Sequence, residues 1–192
     1  MIFKGMAFFI LIWFYSVYIG KMIIQKKKGI QTDQIARGKK KKSVLVIEMM
    51  MKAVTYSIIL VQLISIVLDY NYLNSSPRFT GFLLAIIGNV FFTIAVVTMK
   101  DSWRAGIPES DKTSFVKSGI YAYSRNPAFA GFDFMYIGLL LLYCNPVLVV
   151  FTIWAIIMLH LQILKEEEYL EIVFGEEYRS YKKQVLRYLG RK

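Results

Sequence analysis

Two short stretches of this chain concentrate side chains that can do chemistry. Lys117–Gly131, KSGIYAYSRNPAFAG, holds Tyr121, Tyr123, Arg125, Asn126 and Phe129. A later stretch, where an apolar run turns charged, holds His160, Gln162, Glu166 and Glu167. On a helix, residues four or seven apart share a face, so Gln162 sits with Glu166 and His160 with Glu167. A carboxylate among aromatic rings is a seat for a cation, attracted by the charge and by the ring quadrupoles. A sulfonium or quaternary ammonium group fits such a seat. Cys144 is the only cysteine and His160 the only histidine, which excludes an internal disulfide and a Cys- or His-cluster metal site.

The elements around these stretches read as a membrane scaffold. Hydrophobic residues are 56% of the 192, charged residues only 19%, and the apolar residues fall in runs of about 20. The formal net charge of +11 would suggest nucleic acid in a soluble domain. Here the basic residues fall between apolar runs, which points to membrane topology and anionic lipid instead, with no nucleic-acid partner. Five spans are expected, at about 6–24, 44–68, 79–99, 128–143 and 147–164, in an all-α polytopic fold. The first lacks a small-residue cleavage pattern and reads as a retained span. The whole chain reads as one membrane domain, residues 1–99 giving three scaffold spans and 100–192 the chemically dense region.

Loop charges set the topology. The first loop carries eight Lys/Arg, from Lys26 to Lys42. The second carries only Arg78, and the third five: Lys100, Arg104, Lys112, Lys117 and Arg125. The Cys144–Pro146 tip has none, and the tail from Lys165 has seven. This alternation puts the N-terminus outside and the C-terminus in the cytoplasm, with the third loop and the tail on one side. Glu48 and Lys52 have the order of an i,i+4 ion pair near one end of the second span. In the third loop Trp103 suits an interfacial aromatic belt, Asp111 or Thr113 offers a helix cap, and Phe115-Val116 an apolar patch that dips toward the membrane. Pro127 suits a helix start. Gly131 and Gly138 share a face that permits close helix approach. Asp133 is an extra acid expected to pair with a nearby arginine or to contact substrate. After Lys165 the apolar spacing predicts an amphipathic cytoplasmic helix broken at Gly175.

SGIYAYSRNPAFAGF resembles the S/GxYxxxRHPxYxG motif of the isoprenylcysteine carboxyl methyltransferase family. Gly138 and Asn145-Pro146 follow, and then a counterpart of EExxLxxxFGxEYxxY: Glu166-Glu167, Leu170, Phe174-Gly175, Glu177-Tyr178 and Tyr181. Ser102-Trp103-Arg104-Ala105-Gly106-Ile107 is similar to a segment of bacterial members. The resemblance covers roughly residues 100–189. It implies an integral membrane enzyme that moves a methyl group from S-adenosylmethionine to a lipophilic or membrane-partitioning acceptor, a carboxylate among the candidates. Carried over residue by residue, it assigns the cofactor to Thr113, Ser114, Phe115, Val116, Tyr121, Asn126, Pro127, Ala128, Phe129 and Glu166, with Glu166 holding the ammonium group. It assigns Arg125, Gln162 and Glu167 as the candidate catalytic residues.

The departures bear on the acceptor. Asn126 and Phe129 stand where the motif has His and Tyr. Gln162 stands where RIxxEE has the Arg that would pair with a substrate carboxylate, so a bidentate clamp is missing there unless Arg125 or Arg104 replaces it. Sterol-type reductases end in a similar region, which leaves an NADPH-dependent membrane reductase as an alternative, beside a non-catalytic binding protein on the same scaffold. No Gly-rich dinucleotide fingerprint is present.

Overall fold

The apolar runs form helices because, in hydrocarbon, every backbone N–H and C=O must find its partner within the segment. The computed structural model describes residues 1–108 and 113–192. Five α-helices follow one another: α1 (Ile2–Lys27), α2 (Lys42–Val67), α3 (Ser75–Met99), α4 (Pro127–Leu142) and α5 (Pro146–Gln184). Four of them are long and apolar enough to cross a membrane. The chain is therefore an all-α, polytopic integral membrane protein. Asp111 and Lys112 lie outside the described residues. Thr113 caps no helix, because the chain from 113 to 118 is irregular.

The fifth, shorter helix, α4, has 16 residues, about 24 Å of rise, which falls short of a hydrocarbon core of about 30 Å. Polar chain must enter the layer at one of its ends, and there it is enclosed by protein. At the Asn145 end, the side-chain amide donates to Ser65 Oγ (3.0 Å) and to the carbonyls of Tyr70 and Tyr143, while its oxygen caps the Leu148 N–H at 3.0 Å.

The tightest packing is between α3 and α4. Gly131 and Gly138 lie against a second pair, Gly88 and Gly81 of α3. A Cβ added to Gly138 would sit 2.6 Å from the Ala85 nitrogen, and one added to Gly88 2.6 Å from the Met135 nitrogen. Only glycine lets the backbones meet at that distance. An aromatic cluster joins this hairpin to α1, with Phe14 stacked on Phe92 at 4.3 Å and edge-on to Phe132 at 4.7 Å. The fifth span continues unbroken past Lys165, and the chain bends at Gly175, whose φ of 53° is in the left-handed region.

Glu48 does not pair with Lys52. Its buried carboxylate accepts from Lys40 Nζ (2.6 Å), the Ala36 N–H (2.7 Å) and the Ile107 N–H (3.0 Å). Lys40 comes from the preceding loop, so the ion pair is shielded from water rather than lying along an exposed helix face. Lys52 points toward Asp33 instead, 3.9 Å away. Glu48 thereby pins the first and third loops to α2. The backbones of those loops also join directly, Gln34 N–H to Ala105 O at 2.8 Å and Ala105 N–H to Thr32 O at 3.0 Å. Gly106, with φ of 87°, allows this contact, since a Cβ there would lie 2.8 Å from the Ile35 nitrogen.

Gly138→Ala should force α3 and α4 apart and destabilise the protein by about 1–3 kcal/mol, the usual cost of overpacking. Gly5→Ala on α1, where an added methyl meets nothing within 4 Å, should not. Thermal unfolding of both variants in detergent checks this; equal melting temperatures would refute the close-packing account.

Candidate active site

The site is assembled by a carboxylate that does not line it. Glu167, on α5 beyond the apolar stretch, is buried. Arg125 grips it in a bidentate fork, with Nη2 2.9 and 3.0 Å from the two oxygens and Nε 3.0 Å from Oε1. Arg187 donates from the other side at 3.0 and 3.2 Å, and Asn126 Nδ2 donates at 2.9 Å. Burial alone would raise the Glu167 carboxyl; hydrogen bonds from Arg187 and Arg125 outweigh it and hold the group below the usual carboxylate range. Further bonds tie the same two segments. Arg125 Nη1 donates to the carbonyls of Val185 (2.8 Å) and Lys182 (3.2 Å), and Tyr181 OH donates to Tyr121 O at 2.6 Å. The third loop and the tail are thus one unit.

Between them and the helix ends lies a cavity of about 880 Å³, counting the solvent at its open mouth. All ten residues assigned to the cofactor by resemblance line it: Thr113, Ser114, Phe115, Val116, Tyr121, Asn126, Pro127, Ala128, Phe129 and Glu166. Arg125 also reaches it. Gln162 and Glu167 do not; Gln162 is buried behind Glu166 and donates to its Oε1 at 3.0 Å. Glu166 is half-buried, lies past the apolar stretch that ends at Leu164, and burial pushes its pKa up to about 7.

Several wall residues come from outside those ten. Tyr169, Leu170, Phe174, Tyr178 and Tyr181 project from α5, and Trp103, Arg104 and Gly106 from the third loop. Their helical spacing was visible in the sequence, but not the direction in which they face. Phe115 does not dip toward the membrane. It stacks on Phe174 at 5.0 Å and meets Tyr181 edge-on at 5.3 Å, because these tail aromatics offer a nearer apolar surface.

Other candidates point elsewhere. Tyr123 is 61% exposed. His160 turns its Nδ1 to Tyr188 OH, 2.6 Å away. Asp133 finds no arginine; its Oδ1 is buried without a hydrogen-bond partner among the described residues. No group of three or more His, Cys, Asp or Glu that could hold a metal occurs among the described residues.

A second cavity, of about 950 Å³ counting the solvent at its open mouth, adjoins the first. Trp103, Arg104, Gly106, Ala128, Phe129 and Glu166 line both. Its remaining wall is mostly aromatic and aliphatic, from α1 and α2 as well as α4 and α5, and includes Tyr15, Tyr18, Met51, Phe132 and Leu159. The first two helices therefore build part of the site.

Fold and site define an integral membrane protein with two adjoining cavities that share the Glu166 carboxylate. Residues 81–172 match the sequence model of the isoprenylcysteine carboxyl methyltransferase (ICMT) family. It is 32% identical over 113 residues to a protein-S-isoprenylcysteine O-methyltransferase of Mus musculus, covering 55% of this chain and 38% of the relative. It is 37% identical over 111 residues to one of Saccharomyces cerevisiae, covering 55% and 45%. It is 32% identical over 110 residues to a probable one of Oryza sativa subsp. indica, covering 56% and 58%. The matched region is less than two thirds of each relative's length.

Glu167→Gln should release the tail from the third loop. Removing one partner of a buried ion pair strands the others, at about 3 kcal/mol here because Arg187 keeps some solvent. Limited trypsin digestion should then cleave at Lys182, Lys183 and Arg187 where the unaltered protein resists. With its depressed pKa, Glu167 contributes stability above the ordinary glutamate value of 4.5, and the contribution is lost as pH falls below it. The unaltered protein should therefore keep its tail resistant to an acid-active protease above that value and lose the resistance as pH falls below it.

Proposed function

We propose that the chain is an integral membrane methyltransferase that uses S-adenosylmethionine and acts on a lipophilic acceptor. The observation that carries this reading is the pair of cavities: one at the polar end, built by the family-matching stretch and the tail, and one apolar and flanked by helices, sharing a wall at Phe129 and Glu166. The residues present fit the cofactor. The Glu166 carboxylate suits its ammonium group, the irregular chain from 113 to 118 offers backbone donors and acceptors, and Phe115 and Tyr178 present ring faces. When bound there, S-adenosylmethionine would supply a methyl group on a positively charged sulfur, with Glu166 holding its ammonium group.

The chain's own contribution is alignment and exclusion of water. Glu166 orients the cofactor, and Gln162 holds Glu166 by its hydrogen bond. Arg125, Asn126 and Glu167 act as positioning residues that keep the third loop against the tail. Phe129 and Trp103 separate the two chambers and exclude water from the junction. By loop charge, the face bearing the first loop, the third loop and the tail is cytoplasmic and the N-terminus outside. The exposed Lys26, Lys27, Lys28, Lys39, Lys41 and Lys42 then face anionic lipid headgroups.

Calorimetry in detergent should show S-adenosylmethionine binding that Glu166→Ala weakens at least tenfold. Because burial raises the Glu166 pKa and an ammonium ligand prefers the ionised form, affinity should climb from pH 6 to about 7.5. Above that the ligand's own α-amino group starts to lose its proton. Glu166→Gln should flatten the climb. No binding by the unaltered protein would refute the reading. A labelled-methyl transfer assay with membranes and extracted lipids then identifies the product.

A further inference from the structure

The last residues of the chain combine one sign of charge with a closed turn. No acidic side chain follows Glu177, whereas six Lys/Arg do. Three of the six are engaged, Arg179 and Lys182 with Glu171 and Arg187 with Glu167. Lys183, Arg191 and Lys192 are exposed and enter no ion pair among the described residues. Beyond α5, residues 185–191 close on themselves: the Leu186 N–H donates to Gly190 O at 2.9 Å, and Gly190 takes a φ of 119°. The Gly190 N–H donates to Tyr123 O at 2.7 Å, which lays the turn against the third loop.

Tyr188 fixes the height of this turn. Its hydroxyl is 2.6 Å from His160 Nδ1, and the two rings stack at 6.0 Å. His160 lies one helical turn inside the apolar stretch that ends at Leu164. Burial first, and then the Asp133 carboxylate on the second turn of α4, raise the pKa of the Tyr188 hydroxyl above its ordinary value. The turn therefore sits level with the ends of two helices rather than out beyond them. Leu186 and Leu189 flank Tyr188 and are 37% and 44% exposed, next to the exposed Tyr123. Apolar and aromatic side chains beside unpaired cations at that level have the composition of a membrane-interface contact. Ile172, on α5, is 72% exposed but lies between Glu168 and Glu176, one turn away on either side, which an anionic surface repels.

We infer that residues 183–192 dock on the anionic surface of the adjoining lipid leaflet, with Leu186 and Leu189 entering the interface and Lys183, Arg191 and Lys192 meeting its headgroups. Charge selects this occupant: an acid-free cationic turn, level with helix ends in a membrane protein, is complementary to anionic lipid. The contact bears on the first cavity, because the same turn holds the third loop. Leu186 O accepts from the Arg125 N–H at 3.1 Å, Arg187 O accepts from Asn126 Nδ2 at 3.1 Å, and the Arg187 guanidinium holds Glu167. Lipid that fixes the turn thereby braces the polar joint around Glu167. Neither the docking nor the brace rests on the methyltransferase reading.

The test uses the full chain in nanodiscs of phosphatidylcholine, with or without phosphatidylglycerol. Cys144, the only cysteine, is replaced by serine, and an environment-sensitive dye is attached at Leu189→Cys or, as a control, at Ile172→Cys. With phosphatidylglycerol present, the dye at 189 should shift its emission to the blue and be quenched by a lipid spin-labelled near its headgroup; the dye at 172 should show neither effect. Combining Lys183→Gln, Arg191→Gln and Lys192→Gln should remove the dependence on phosphatidylglycerol without lowering the melting temperature in detergent, which shows that this variant is folded. Backbone hydrogen exchange at 124–126 should slow about fivefold when phosphatidylglycerol is added to the unaltered protein, the effect of one basic side chain at an anionic surface, and not in the triple variant. An unquenched dye at 189, or equal quenching at 189 and 172, would overturn the docking. A blue shift without quenching would mean that protein covers the turn, and refutes it as well. Quenching that survives in the triple variant rules out the anionic partner, and unchanged exchange at 124–126 rules out the brace.

Discussion

The buried Glu167 carboxylate receives hydrogen bonds from Arg125, Arg187 and Asn126, and the first cavity exists because these bonds hold two distant segments together. Burying charge carries a large desolvation cost, recovered only when every oxygen is well partnered. That condition is met here: both oxygens accept, the arginine fork is bidentate, and the remaining Arg125 donors reach carbonyls at the end of α5. The result is a polar joint in which the third loop and the tail have one relative placement. Glu166, the next residue, then has a defined direction into the cavity.

A second constraint comes from the bilayer. α4 is too short to span it alone, so the polar chain before Pro127 has to be sheltered by protein. The α3–α4 glycine contacts, the Asn145 network at the other end and the Glu48 joint to the first and third loops provide that shelter. These features hold the two cavities between the charged loops and the apolar helices, with Phe129 and Glu166 in the wall they share.

Much of this was readable from residue order. The helices follow the apolar runs closely, because hydrocarbon leaves the backbone few alternatives. The bend at Gly175 and the helix start at Pro127 also follow from residue type. The ten residues assigned to the cofactor by resemblance converge on one cavity, since they sit in a short loop and one helix turn that topology already put on the same side. The errors share a physical origin. Glu48 was expected to pair with the nearest cation along its helix, but a lysine from the preceding loop, shielded from water, is the better partner. Asp133 was expected to find an arginine, and Arg125 and Arg187 are both drawn to Glu167. Phe115 was expected to seek the membrane, and the tail aromatics are closer.

Local sequence determined the helices, their breaks and the side of the membrane each loop shares, because apolar run length, glycine, proline and loop charge act over a few residues. Only the tertiary structure decided which of two adjacent glutamates faces the cavity and which is a joint. Adjacent helix positions point about 100° apart, and which direction is inward depends on what packs there.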